Sequence, residues 1–233
     1  MVKSIVKVGL LCVIAIVSSI VIYNKFGDGT NNSDSVTSDE KKFKEEYESL
    51  NNSKYSNGNN YLEISIEENN GILYANYDKI HEILTKGTGV IYFGFPECPW
   101  CRNAIPMLLQ AASNTGIDKI YYFNAYDIRD VKHLEDDKII TDKEGSKEYY
   151  ELVDLMSDYL GEYEGLNDKD IKRLYFPTVV FVREGKIVGI HIGTLDSQED
   201  PFIPLTESQK GELVNIYMKY INLINSEVCD DKC

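Results

Sequence analysis

The stretch Val90-Ile91-Tyr92-Phe93-Gly94-Phe95-Pro96-Glu97-Cys98-Pro99-Trp100-Cys101 decides how the rest of the chain is read. Val90 to Phe95 is a continuous apolar and aromatic run of strand length, the mark of a strand buried on both faces. From Cys101 to Ala112 the pattern changes to helical spacing, with Ala104, Ile105, Leu108, Leu109 and Ala112 on one broad face. Two cysteines therefore stand where a buried strand turns into a helix. The first meets the unpaired N–H groups and the positive end of the helix, which favour its thiolate. The second lies one turn further on, within reach of a mixed disulfide formed on the first. Pro99 suits the first turn, where its missing N–H costs little. Nucleophilic attack is assigned to Cys98, at the exposed end of the helix, and resolution to Cys101 inside it.

Outward from this junction the pattern alternates between strand and helix. Leu62, Ile64 and Ile66 alternate with polar residues and predict a short edge strand, and Asp78 to Lys86 predicts a helix ending at Gly87. Lys119 to Tyr126 reads as another strand. Thr178 to Val182 and Lys186 to Ile192 flank Arg183-Glu184-Gly185 as a hairpin, and Glu207 to Asn225 carries apolar residues at helical spacing. Between them lies an insertion, 127–170. It contains a helical pattern from Ser146 to Leu160 after a turn at Asp142-Lys143-Glu144-Gly145, and is expected to be surface padding. The expected fold is α/β, with three layers around a mixed central sheet and a helical insertion ahead of the Thr178 strand.

The ends of the chain differ from its middle. Val8 to Tyr23 is an apolar run broken only by Gly9, Ser18 and Ser19, preceded by Lys3 and Lys7 and followed by Lys25. As a helix it reaches about 24 Å, short of a ~30 Å hydrocarbon core unless Val2 to Val6 extend it. Val17-Ser18-Ser19 offers a cleavage site, but inside the apolar run, so an uncleaved anchor is expected over a cleaved signal peptide. The basic side precedes the run and acids follow it, which places the body outside the cytoplasm, on the outer face of the membrane. Residues 1–26 are thus read as the anchor and 27–60 as a polar stalk with a short helix where Phe43, Tyr47 and Leu50 recur. The domain proper is read as 61–233, ending in a cysteine-containing tail, 226–233. The net charge is −14, with every excess acid beyond residue 26, a surface that repels polyphosphates and disfavours nucleic acid.

The competing uses of a Cys-x-x-Cys pair are zinc and an inert disulfide. Zinc needs further ligands nearby, and the other cysteine pair, Cys229 and Cys233, is far off in sequence, so no metal and no cofactor is expected. The tail pair Cys229/Cys233 is read as a structural disulfide, a second redox couple or a metal site, in that order.

The segment from Phe93 to Leu108 resembles the active-site strand and helix of the thioredoxin superfamily, and the likeness extends from Gly71 to Ile224. Pro106 stands eight residues after Cys98, where thioredoxins carry the proline that kinks this helix. Phe176-Pro177-Thr178 resembles the loop whose cis-proline faces the dithiol, and Gly185 and Gly193 follow Pro177 at intervals of eight. Closer still, the chain resembles membrane-anchored Gram-positive thioredoxin-like proteins, including the bacteriocin transport accessory group. The resemblance implies a substrate groove formed by Trp100, Phe176, Pro177 and Gly193, with the Phe176 backbone free to pair with an extended client segment. Two positions depart from the family. Tyr92 stands six residues before Cys98, where thioredoxins usually carry a buried acid, and Glu97 immediately precedes Cys98. A carboxylate at Glu97 either raises the Cys98 pKa by repulsion or serves as the missing proton acceptor.

These residues point to a thiol–disulfide oxidoreductase, with reduction of exported proteins favoured over oxidation or isomerisation. The expected partners are protein disulfides and a thiol electron donor, besides the membrane itself. The alternative is a non-catalytic accessory module of a secretion or maturation complex. Retention of biological function without the dithiol would favour the module.

Overall fold

The structure, a computed structural model, describes residues 36–225. Its strands are β1 (Ile72–Tyr74), β2 (Gly89–Phe93), β3 (Ile120–Phe123), β4 (Val131–Glu135), β5 (Lys138–Lys143), β6 (Thr178–Arg183) and β7 (Lys186–Ile192). Its helices are α1 (Ser38–Glu48), α2 (Tyr77–Lys86), α3 (Pro99–Thr115), α4 (Lys147–Leu155) and α5 (Glu207–Asn225). The main sheet has the order β1-β3-β2-β6-β7, with β1, β3 and β2 parallel and β6 and β7 antiparallel. Central β2 is buried on both faces, as its unbroken apolar run predicts. Val90 and Tyr92 join a cluster with Ile105 and Leu108 of α3 and Leu213 and Tyr217 of α5. Ile91 and Phe93 join another, with Ile80 and Ile83 of α2 and Tyr149 and Leu152 of α4. Helices thus cover both faces of a mixed sheet, an architecture that fits a thioredoxin-like fold. The β6–β7 hairpin turns within the expected tripeptide, at Glu184-Gly185, with Arg183 as the last residue of β6. Gly185 has φ +72° there, and a Cβ would fall 2.3 Å from the Thr85 carbonyl oxygen.

Three expectations are corrected. The first is the boundary near Tyr61. The compact unit already includes Val36, and α1 is part of the core rather than of a stalk. Thr37 caps α1 reciprocally with Glu40, and the buried Phe43 and Tyr47 pack under Tyr92 and Tyr122. The carboxylates of its first turn also serve edge strand β1, Asp39 accepting from Tyr74 N–H (2.9 Å) and Glu40 from Gly71 N–H (2.8 Å).

The second is the strand expected over Leu62 to Ile66, which is extended chain with no strand partner. Ile66 is buried as the alternation implies, but the backbone is paired by side chains. Asn51 bonds both N–H and C=O of Ile64, Glu48 accepts from Ile66 N–H, and Lys44 donates to the Ile66 carbonyl. The first strand of the sheet is instead Ile72–Tyr74.

The third is the insertion, which is not padding. Tyr149, Leu152, Met156 and Leu160 belong to the same buried cluster as Cys98 and Cys101. Its first part is the hairpin β4–β5, turned at Asp136 and Asp137, both with positive φ. Helix α4 stops at Leu155, ahead of the expected Leu160, with Met156 as its C-cap.

The expected anchor (1–26), the part of the polar segment before residue 36, and Cys229 and Cys233 lie outside the described residues. Among the described residues no helix is long and apolar enough to cross a membrane.

Since Phe43 is fully buried, Phe43→Ala is expected to lower the unfolding free energy by about 3–5 kcal/mol in urea titrations. A stalk residue would change it by under about 0.5 kcal/mol.

Candidate active site

Cys98 is the N-cap residue of α3, with extended backbone (φ −73°, ψ 119°), and Pro99 opens the helix. A residue in that position turns its side chain back toward the first-turn N–H groups. The Cys98 Sγ accepts from Cys101 N–H at 3.3 Å and lies 3.7 Å from the Phe176 carbonyl oxygen, to which its thiol donates. Neither cysteine is in a disulfide. Cys98 keeps a narrow opening to solvent at 6% exposure, and Cys101 has none.

The two thiols are driven in opposite directions. The Cys98 thiol is held below its ordinary value, first by the hydrogen bond from the Cys101 thiol and then by the N–H groups of Cys101 and Trp100 and the charge of Arg129, against the opposing effect of burial. Burial pushes Cys101 well above its ordinary value, and the hydrogen bond and negative charge of Cys98 add to this. One sulfur is therefore prepared to attack and the other to keep its proton until attack has occurred.

Glu97 is exposed, and the net direction at Cys98 is down. At the position of the missing acid, Tyr92 is fully buried, with its hydroxyl 2.9 Å from that of Tyr47. Burial first, and then the nearby thiols, hold both phenols far above their ordinary range. They are hydrogen-bond donors rather than proton acceptors. The Phe95 backbone and then the Tyr92 hydroxyl ease ionisation of the Cys101 thiol against the effect of its burial.

Among the expected groove residues, Trp100, Phe176 and Gly193 line a single open groove of about 590 Å³, shared with Glu162, Tyr175 and Asp196. Pro177 is buried behind it, joined to Phe176 by a cis peptide bond, and its carbonyl accepts from Gly193 N–H at 2.8 Å. Gly193 meets its expected place for a different reason. A Cβ there would have open space, but its φ of +75° is a conformation that side chains disfavour. Among the described residues no group of three His, Cys, Asp or Glu side chains is arranged to hold a metal ion.

Two groups at the site escaped the sequence reading. Arg102, next to the resolving cysteine, is 1% exposed. It donates to the carbonyls of Leu62 and Tyr47 and to Asn51 Oδ1, each at 2.8 Å, so it ties the N-terminal segment to the active-site helix. Its position three residues before Ile105, on the apolar stripe of α3, was the available signal. Arg129 comes from the insertion. Its guanidinium lies 4.6 Å from the Tyr126 ring and 5.2 Å from the Phe176 ring, and nothing in its charged, irregular segment marks it out.

No protein-family model matches the chain, and no curated protein does. Similar solved structures include thioredoxin O2 from Arabidopsis thaliana in the oxidized state, 14% identical over 53% of this chain and 84% of that one, with a TM-score of 0.32. Another is thioredoxin from Trypanosoma brucei brucei, 15% identical over 65% of this chain and 89% of that one, with a TM-score of 0.33. Likeness at this level carries no statement about chemistry, which rests on the geometry above.

The opposed thiol shifts give a direct expectation. With Cys12, Cys229 and Cys233 replaced by serine, brief iodoacetamide treatment of the reduced protein at pH 7 should label Cys98 at least about tenfold faster than Cys101. Peptide mass mapping reads the ratio, and equal labelling would contradict the assignment.

Proposed function

We propose that this protein is a dithiol–disulfide oxidoreductase that reduces disulfides of exported proteins. The supporting observation is the pairing of an accessible, helix-capping Cys98 with a sealed Cys101 one turn along the same helix. The Cys98 thiolate attacks one sulfur of a client disulfide. The S–S bond breaks, a Cys98–client bond forms, and the other client sulfur leaves as a thiolate that takes a proton. Cys101 then gives up its proton and attacks the Cys98 sulfur, releasing the second client thiol. The client has gained two electrons and two protons, and a Cys98–Cys101 disulfide remains. A thiol electron donor restores the dithiol.

The groove gives the client a place to lie. Trp100 and Phe176 offer apolar walls, and an extended segment laid along Phe176 to Pro177 brings its disulfide toward Cys98. Tyr92 supplies a hydrogen bond to the Cys101 sulfur as it becomes a thiolate, a stabilising role in place of a carboxylate base.

Placement at the outer face of the membrane rests on the N-terminal residues. Lysines precede an apolar run and acids follow it, the charge order of an anchor whose body is exported. Clients in this compartment are disulfide-bearing proteins.

The test uses the full chain in detergent with Cys12, Cys229 and Cys233 as serine. It should accelerate dithiothreitol-driven insulin reduction, and Cys98→Ser should abolish the acceleration. Cys101→Ser should accumulate a mixed disulfide between Cys98 and insulin, visible by mass. Undiminished acceleration in Cys98→Ser, or trapping on the other cysteine, would refute the reading.

A further inference from the structure

A half-buried arginine in a strongly acidic protein is expected to find a carboxylate. Arg129 does not: none of the ion pairs among the described residues includes it. Its guanidinium is held instead between the Tyr126 and Phe176 rings, at 4.6 and 5.2 Å. Both walls belong to the site. Tyr126 packs on Phe95 (4.5 Å), Phe95 meets Phe176 edge-on (5.5 Å), and the Phe176 carbonyl lies 3.7 Å from the Cys98 sulfur. The backbone is fixed as well. Arg129 N–H donates to the Ala125 carbonyl, and the preceding Ile128 carbonyl accepts from Ser146 N–H, which caps α4.

We propose that Arg129 is the counter-ion of the Cys98 thiolate, a positioning residue that the insertion delivers to the dithiol. The proposal rests on Cys98 being the attacking sulfur. The cation is costly where it stands, since burial and then the neighbouring Arg173 draw Arg129 below its ordinary value, although a guanidinium stays charged throughout the neutral range. An anion at Cys98 relieves that cost, and by the same interaction the thiolate is favoured. The other titratable groups around Cys98 are Cys101 and Arg102 on the same helix, Glu97 before it, and the phenols of Tyr47 and Tyr55 from the N-terminal segment. Arg102 is also a cation, but its guanidinium is turned to the acceptors of Leu62, Tyr47, Pro96 and Asn51. Arg129 is the cation whose charge acts on the Cys98 sulfur.

The experiment reads thiol ionisation with no client present, so failure of turnover would sink the proposed function and leave this inference standing, and the reverse also holds. In the reduced full chain with Cys12, Cys229 and Cys233 as serine, the rate of Cys98 alkylation by iodoacetamide is followed against pH by mass. Arg129→Met, which keeps apolar bulk between the rings, should move the profile up by about half to one pH unit and slow labelling about 3–10-fold below the midpoint. Arg129→Lys, which restores the charge, should stay within about twofold of the parent. Should the methionine variant fail to fold by near-UV circular dichroism, Arg129→Gln is read in its place. A charge-free variant titrating with the parent would overturn the proposal, as would a lysine variant shifted as far as methionine.

Discussion

A sulfur that caps a helix and a sulfur one turn inside it occupy unequal electrostatic ground. At Cys98 the backbone offers N–H groups that nothing else in α3 uses, and a thiolate satisfies them. At Cys101 burial makes charge costly, and the Phe95 backbone and then the Tyr92 hydroxyl offset it in part. The proposed order of attack, Cys98 before Cys101, follows from this asymmetry, and much of the fold serves to maintain it. Strand β2 fixes the start of the helix from below, and the turn before β6 brings the Phe176 carbonyl against the open sulfur.

The buried sulfur needs its surroundings kept dry, and here the segment that begins with α1 contributes core side chains. Helix α1 supplies Tyr47, whose hydroxyl partners that of Tyr92, so a group that eases Cys101 ionisation is itself held. Arg102 fastens the same segment from the other side through three bonds to Leu62, Tyr47 and Asn51. A buried guanidinium is tolerated only when it is hydrogen-bonded, and with the Pro96 carbonyl as a further acceptor each of its three nitrogens has a partner. The result is one connected packing unit from α1 through α3 rather than a domain with a loose leader.

Legibility followed the strength of local signals. The dithiol, the strand before it, the hairpin after Pro177 and the last helix were readable because each is either an unbroken apolar run, a clear helical stripe or a turn with a glycine at its required place. Helix α1 was seen as a period but not as core, since Phe43 and Tyr47 are its only buried apolar residues among charges. Leu62 to Ile66 misled because alternation reports which side chains point inward, not what bonds the backbone, and here Asn51 and Glu48 take the part of a neighbouring strand. The hairpin β4–β5 was missed because β5 is exposed along its whole length and turns on Asp136-Asp137 instead of a glycine pair. Arg102 and Arg129 act through long-range contacts that no window of sequence contains.

The account depends on the two sulfurs forming and breaking a bond with each other at a biologically accessible potential. Equilibration of the protein, with Cys12, Cys229 and Cys233 as serine, against graded glutathione buffers measures this directly. The expected result is one reversible two-electron transition between Cys98–Cys101 dithiol and disulfide, with a potential in the thioredoxin-to-isomerase range of about −270 to −180 mV. A pair that stays reduced in fully oxidised glutathione, or a bond that excess reductant leaves intact, would contradict it.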